Sequence, residues 1–475
     1  MTHSSQTATA AAQTSNRAVV IGGSLAGLSS AQVLAEFVDE VLIIERDTFA
    51  DEPAPRKGVP QGRQLHQILL QGRRNLEELF PGIHTELFAK GATELDFVAD
   101  AAWFNPVFGQ GPRYKSDLMI TVASRELVEF QMRQRVLANP RVKVLQGHDV
   151  VGLRYSTNEQ RVDGVIVRER GENGQQSEYS ADFVVDASGR ESKASQWFEQ
   201  LGFAAPAIES INAFVGYAGR YYKRTEDPQR DWRMIWILPS PPEIPRAAIA
   251  FPLEGDRWLV TLIGAAKDYP PHDEEGFLSF AQSLADPHIA QLITSAEPIS
   301  PITSFRRTEA HFRHFERLDR VPDGFIVVGD ANCSFNPFYG QGMTMAMAGP
   351  LLLREMLKKH KPRSGQHRFA GLAKPFFKKL ARKNMVPWTL AAGIDSLYPT
   401  TEGLKRGLLS KLIFWYMNPM LVISSYNPEV YKRFVRVLHL LKSPLSLLHP
   451  SVFWAVIKHT FRSKPKSETQ VVTDS

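Results

Sequence analysis

Cysteine is almost absent from this chain: its 475 residues include one, Cys333. A single thiol excludes an intramolecular disulfide and any multi-cysteine zinc site, and no metal site is expected. It fits a reducing, cytoplasmic setting. Long apolar runs are missing too, and none approaches the ~20 residues of a membrane span. The first 16 residues, MTHSSQTATAAAQTSN, lack the basic start and apolar core of a secretory signal and are expected to form a disordered tail. No Ser-His-Asp set or pair of catalytic carboxylates stands out. No nucleic-acid motif accompanies the basic residues, so no nucleic-acid partner is expected.

What is present is ordinary for a globular protein: 43% apolar and 22% charged residues. The length allows two or three domains, or one large core with insertions. The net charge of +6 hides an asymmetry. Residues 351–475 hold 22 Lys and Arg against 6 Asp and Glu, and the preceding 350 residues hold 34 against 44. The basic character is confined to the last quarter and points to a partner surface there.

Near the N-terminus, RAVVIGGSLAGLSSAQVLAEFVDEVLIIERD reads as strand, tight turn, helix, strand. The turn Gly22-Gly23-Ser24-Leu25-Ala26-Gly27 follows G-x-G-x-x-G except for Ser24 at the second glycine. Small residues there let the backbone approach a pyrophosphate and the helix pack on the strand. Glu45 ends the second strand, 23 residues after Gly22, where an acid takes adenosine ribose hydroxyls. This element predicts a dinucleotide without choosing between NAD and FAD.

A second element chooses. FIVVGDANCSFNPFYGQGMTMA, Phe325 to Ala346, is a buried strand ending at Gly329-Asp330, then Pro337, then a helix opened by Gly340-Gln341-Gly342. FAD is longer than NAD and needs separate anchors for its ribityl chain and ring. Asp330 would accept from ribityl hydroxyls. A helix start offers free N–H groups and a positive dipole end to the pyrimidine edge, and Pro337 gives a rigid wall without a donor.

The spacing of Asp330, Pro337, Gly340 and Gly342, with GGSLAGL at the start, resembles the p-hydroxybenzoate hydroxylase superfamily of FAD-dependent monooxygenases. SRELVEFQMRQRV (Ser124–Val136) is similar to the family helix whose early arginine, here Arg125, lies near FAD. Arg56 falls where the family has a cofactor arginine. RKGVPQGRQLHQILLQG (Arg56–Gly72) resembles a loop of bacterial members that include polyketide epoxidases. Gly342-Met343-Thr344 departs from the hydroxylase ending and is similar to squalene epoxidases. The middle motif, VVDASGRES, has Ser188 where the family has an aspartate, a form also similar to flavin halogenases and isoprenoid reductases. DWRMIWILPSP keeps only part of the halogenase W-x-W-x-I-P, and its Trp232 and Trp236 also read as sheet packing.

The resemblance implies an α/β protein with a Rossmann-like FAD domain (17–205 and 305–360). A β-sheet substrate domain (206–304, with 92–122 contributing) is inserted, and a basic amphipathic helical region (361–475) follows. It implies insertion of one oxygen atom from O2 through a flavin hydroperoxide, most readily epoxidation or hydroxylation of a lipophilic polyene, terpenoid or polyketide. Halogenation and isoprenoid double-bond reduction are the alternatives. The cofactor set is Gly22, Gly23, Ser24, Ala26, Gly27, Glu45, Arg46, Arg56, Arg125, Asp186, Gly189, Asp330, Pro337, Gly340, Gly342 and Met343. Pro337, Gly340 and His66 are candidates beside the ring, and Tyr217, Trp236 and Phe251 for the substrate. With no second glycine fingerprint, NAD(P)H visits transiently or a reductase partner delivers electrons. The Lys- and Arg-rich tail, interleaved with Phe, Trp and Leu, reads as short helices broken by proline, either a lid or a peripheral membrane surface.

Overall fold

The parallel strand Arg17–Ile21 is the centre of the first layer of this computed structural model. It pairs with Glu40–Glu45 on one side and Phe183–Asp186 on the other, with Val142–Gln146 and Phe325–Val327 at the edges. These strands are apolar almost without interruption because both faces of the sheet are covered; Ala18, Val19 and Val20 are fully buried. The structure describes residues 16–462 except 108, 225, 226, 229, 363, 365 and 405–407. The expected N-terminal tail, Asn16 aside, and the last stretch of the basic region therefore lie outside the described residues.

Among those residues the helices are α1 (Leu25–Leu34), α2 (Leu70–Leu79), α3 (Ile83–Ala89), α4 (Arg125–Leu137), α5 (Ala194–Gln200), α6 (Glu274–Gln282), α7 (His288–Ser295), α8 (Gly342–Lys359), α9 (Ala373–Asp395), α10 (Leu408–Ser424), α11 (Pro428–Leu438) and α12 (Pro450–Arg462). The first-layer core joins residues of α1, α4, α8 and α9 to the parallel sheet, through Leu28, Met132, Met347 and Phe376 among others.

A seven-stranded sheet makes the second layer, in the order Thr303–Phe305, Gly216–Lys223, Arg257–Gly264, Arg246–Leu253, Met234–Ile237, Ala101–Asn105, Gly109–Gln110. Segment 92–122 enters through Ala101–Asn105, which runs parallel to Met234–Ile237. Its Thr93–Asp96 and Met119–Val122 pair elsewhere, in a small sheet with Gln67–Ile68. Alternate residues face opposite ways. One face, with Tyr222 and Trp258, is covered by Phe277, Phe280 and Ile289 of α6 and α7. The other, with Tyr217, Trp236 and Phe251, meets Tyr398, Tyr431 and Val435 of the C-terminal region.

Proline breaks the C-terminal helices only in part: Pro444 and Pro450 open the 444–448 turn and α12 beyond the end of α11, whereas α9 and α10 run through theirs. Pro387 lies inside the 23-residue α9 and Pro419 inside the 17-residue α10. Tertiary packing holds these helices together, which outweighs one missing N–H bond: Phe376, Phe377, Leu380 and Trp388 bury one flank of α9. Among the described residues, no helix is long and apolar enough to cross a membrane.

Candidate cofactor site

The turn after Arg17–Ile21 is as tight as its glycines imply. A Cβ on Gly27 would stand 1.8 Å from the Gly22 carbonyl oxygen, and one on Gly22 (φ +97) 2.7 Å from that of Ala187. Ser24 precedes α1 but does not cap it with its side chain. Its hydroxyl donates to Glu129 Oε2 at 2.7 Å and accepts from Arg125 Nη2 at 2.6 Å. The first α1 bond runs from Leu28 N–H to the Ser24 carbonyl. The N–H groups of Leu25, Ala26 and Gly27 thus lie ahead of the helical ladder, at the positive end of its dipole. Glu45 Oε2 accepts from Gly23 N–H at 2.7 Å.

Two arginines meet at this turn. Arg56 donates through Nε to Glu129 Oε1 at 2.7 Å and pairs with Glu45 at 3.3 Å and Asp47 at 3.2 Å. Arg125 pairs with Glu129 at 2.9 Å. Burial pushes the Glu129 carboxyl up, but Arg125, Arg56 and the Ser24 hydroxyl together hold it below its ordinary value. Glu129 is absent from the sequence-derived set, although its place one turn after Arg125 is a familiar ion-pair spacing. Phe49 is also absent from that set; its ring stands over Gly23, with Arg133 4.5 Å from the ring centre. Arg46 turns to the neighbouring loop, donating to the Gly58 carbonyl at 3.2 Å. His66 Nδ1 lies 2.9 Å from the Gln64 carbonyl. Burial, then the charge of Arg125, push its imidazole down to about 4, so it is neutral at pH 7.

The second element meets the first across the sheet, where Val327 is in register with Asp186. Asp186 is fully buried and folds its own loop, accepting from Ser188 N–H at 2.9 Å and Ser192 Oγ at 2.6 Å. Gly189 follows with φ +82. Asp330 sits on a short 3-10 turn, with 30% of its side-chain surface exposed and Arg190 Nε 3.8 Å from Oδ2. Burial pushes its carboxyl up, and Arg190, Arg125 and Arg313 oppose that. Arg125, bonded to Ser24, therefore lies within electrostatic reach of both motifs. Arg190 carried no signal in the sequence beyond being a cation in the DASGRES loop.

Pro337 opens a 3-10 turn that ends at Gly340 (φ +65). The first α8 bond runs from Met345 N–H to the Gln341 carbonyl, leaving the N–H groups of Gly342, Met343 and Thr344 ahead of the ladder. A Cβ on Gly342 would meet nothing within 4 Å. Met343 buries its side chain in the core, so its backbone is what it offers here. Two helix N-termini, arginines between them and open space at Gly342 form a donor set that fits a long, anionic dinucleotide with a flat ring.

The three substrate candidates share one sheet face. Phe251 has no exposed surface, Tyr217 is buried, and Trp236 stacks on Trp103 at 5.0 Å. An apolar crevice beside them is lined by Trp103, Leu238, Leu421, Tyr431, Phe434 and Leu438, among others, and not by those three. Four of these six come from α10 and α11, which sequence patterning cannot place against the sheet.

Residues 16–360 match the FAD binding domain family. The chain belongs to that family. It is a flavin-dependent monooxygenase of the p-hydroxybenzoate hydroxylase superfamily. Residues 265–456 of this flavoenzyme also match the squalene epoxidase family. It is similar to Protein Rv3254 of Mycobacterium tuberculosis, with 31% identity over 350 residues, 72% of this chain and 73% of that one. A 3-(3-hydroxy-phenyl)propionate/3-hydroxycinnamic acid hydroxylase of Burkholderia cenocepacia shares 26% identity over 223 residues, 47% of this chain and 36% of the hydroxylase. Among solved structures, the flavin-dependent brominase Bmp2 superposes with a TM-score of 0.64 at 15% identity, covering 94% of this chain and 98% of the brominase. The probable FAD-dependent monooxygenase pqsL from Pseudomonas aeruginosa gives 0.58 at 15%, covering 80% and 98%. At these identities the two structures are likenesses of fold.

Proposed function

We propose that the flavoenzyme adds one atom of O2 to a carbon–carbon double bond of a lipophilic polyene, terpenoid or polyketide. The observation that carries this reading is the squalene epoxidase match, which runs through Gly342-Met343-Thr344 and into the C-terminal helices. The apolar crevice beneath α10 and α11 supports it.

FAD, when bound, supplies the redox chemistry that activates oxygen. The N–H groups at the start of α1 would hold its pyrophosphate, with Arg56 and Arg125 alongside. Glu45 would accept from the ribose hydroxyls and Asp330 from the ribityl chain. The Gly342 and Met343 N–H groups would donate to the pyrimidine edge, and Pro337, Gly340 and neutral His66 would be its candidates beside the ring. Gly189 would let the middle loop approach. The sheet and α11 line the crevice mainly with apolar side chains, and excluding water there would favour oxygen transfer over waste of reducing equivalents. NAD(P)H or a reductase partner delivers electrons, since no second glycine fingerprint is present to hold a nicotinamide.

The C-terminal region also supports a peripheral membrane role. Leu412 and Trp415 of α10, Leu445 and Leu448 of the 444–448 turn, and Trp454 of α12 all expose their side chains, in the quarter of the chain that carries the positive charge. An aromatic and basic surface suits an anionic bilayer.

The test is isotopic. Turnover of candidate polyenes under 18O2 is expected to place one labelled oxygen on an epoxide. Halide-dependent product without label, or a reduced double bond without oxygen, would overturn the reading. Asp330→Ala is expected to lose yellow flavin on purification; full retention would sink the assignment of Asp330.

A further inference from the structure

Helix α9 touches the segment after Asp330 through three side chains of that segment. Asn384 Nδ2 donates to Asn332 Oδ1 at 2.8 Å. At the last residue of the helix, Asp395 accepts from Asn336 Nδ2 at 3.1 Å and from the Tyr339 hydroxyl at 2.7 Å. Asn336 and Tyr339 bracket the Pro337 turn, and Asn336 Oδ1 also accepts from Phe338 N–H at 3.2 Å.

A carboxylate is an expensive group for this place. Asp395 is 2% exposed, it stands at the negative end of the α9 dipole, and no cation pairs with it among the described residues. An asparagine would fill the same volume without the cost of burying charge. Buried acids with perturbed titration cluster at functional sites.

We propose that Asp395 is a positioning residue for the flavin reaction: through Asn336 and Tyr339 it sets the Pro337–Gly340 turn, and with it the N-terminus of α8, against the flavin ring. This rests on the reading above that Pro337–Gly342 faces the ring.

The titratable groups facing Asp395 are Tyr339 of the turn, Tyr217 of the sheet and Tyr398 just beyond α9. Arg190 acts on Tyr217. Burial pushes the Asp395 carboxyl up to about 6, against the two hydrogen bonds that favour its charged form. Both partners are donors in this arrangement. Tyr339 and Asn336 both donate to Oδ1, and Asn336 also reaches Oδ2 at 3.3 Å, so a proton on Oδ2 displaces that second contact and leaves Oδ1 a weaker, uncharged acceptor for both.

The experiment is a dithionite titration of the holoprotein with indicator dyes, giving the flavin midpoint potential against pH. A merely structural residue leaves no redox-linked ionisation in that profile. The wild type is expected to show a change of slope near pH 6, and Asp395→Asn to lack it while keeping FAD. Tyr339→Phe removes a bond that favours the charged carboxylate, so its change of slope is expected at higher pH. An unaltered profile in Asp395→Asn overturns the proposal. Should that variant fail to fold, an unmoved slope change in Tyr339→Phe overturns it instead. Gly342→Val separates the two readings. If it takes up FAD like the wild type, the placement of the ring is wrong. If it loses FAD while both other variants keep the wild-type profile, the ring stands and the role of Asp395 falls.

Discussion

The side-chain amide of Gln341 donates to the carbonyl of Leu438 at 2.8 Å. One residue on, His439 Nδ1 accepts from the Leu70 N–H at 3.1 Å. The end of α11 is thereby bound both to the glycines that open α8 and to the start of α2, while Leu438 itself lines the apolar crevice. The end of α11 thus packs against the residues that open α8 and α2.

That contact is testable. Gln341→Ala is expected to cost about 1 kcal/mol, the net worth of one hydrogen bond, and to raise KM for substrate more than it lowers kcat. Limited proteolysis just after α11 should quicken. Unchanged cleavage and KM would overturn a role for this hydrogen bond in holding α11.

Gly27→Ala is expected to abolish FAD binding, because its Cβ would fall 1.8 Å from the Gly22 carbonyl oxygen and the turn must open. Flavin absorbance after purification and circular dichroism of the apoprotein check this. Loss of colour with a retained fold is the expected pair of results.

Glu129→Gln takes the negative charge from between Arg56 and Arg125. Breaking a buried ion network by removing one partner costs roughly 3–5 kcal/mol, and the neutral amide, which still accepts hydrogen bonds, should come in at or below the low end. Urea unfolding measures the stability loss, and fluorescence titration with FAD measures whether the freed arginines still find the cofactor.

Asp395 gives stability a defined pH dependence. Its carboxyl titrates near 6 in the fold and at an ordinary value of 3.8 when unfolded. Between those values the folded state binds the extra proton, so stability falls as pH rises through the window, by up to roughly 3 kcal/mol. Asp395→Asn should remove that slope. The stability difference between variant and wild type, followed by urea unfolding from pH 4 to 7.5, should move in favour of the variant as pH rises; a constant difference would contradict the assignment.

Trp415→Ser combined with Trp454→Ser is expected to weaken co-sedimentation with vesicles containing phosphatidylserine severalfold, without loss of FAD. Equal sedimentation of both proteins, or binding only to uncharged vesicles, would argue against the membrane surface.

Local pattern carries a signal only when the residues that share a task are neighbours in the chain. The turn 22–27, Glu45 and the segment 330–342 are such cases: glycines, strand ends and a helix start announce themselves within a few residues. Glu129 was within reach of the same reasoning, one helical turn from Arg125, but nothing local says that its carboxylate would meet Ser24 across 105 residues. Arg190, Phe49 and Asp395 gave no such sign. That the substrate candidates do not line the crevice has a related reason. Alternation tells which face of a strand a residue occupies, and Tyr217, Trp236 and Phe251 share the right face, but not which part of that face another element covers.

The sequence by itself determined a dinucleotide-binding α/β protein, the preference for FAD over NAD, and a charged, aromatic C-terminal quarter. Those follow from backbone geometry that only small residues permit and from apolar runs that must be buried. Tertiary structure alone decided that α9 grips the Pro337 turn through Asp395, that the end of α11 meets Gln341, and that Arg190 and Arg313 join Arg125 beside Asp330. These contacts join residues tens to hundreds of positions apart, and their energies come from burial and charge, which exist only once the chain has closed on itself.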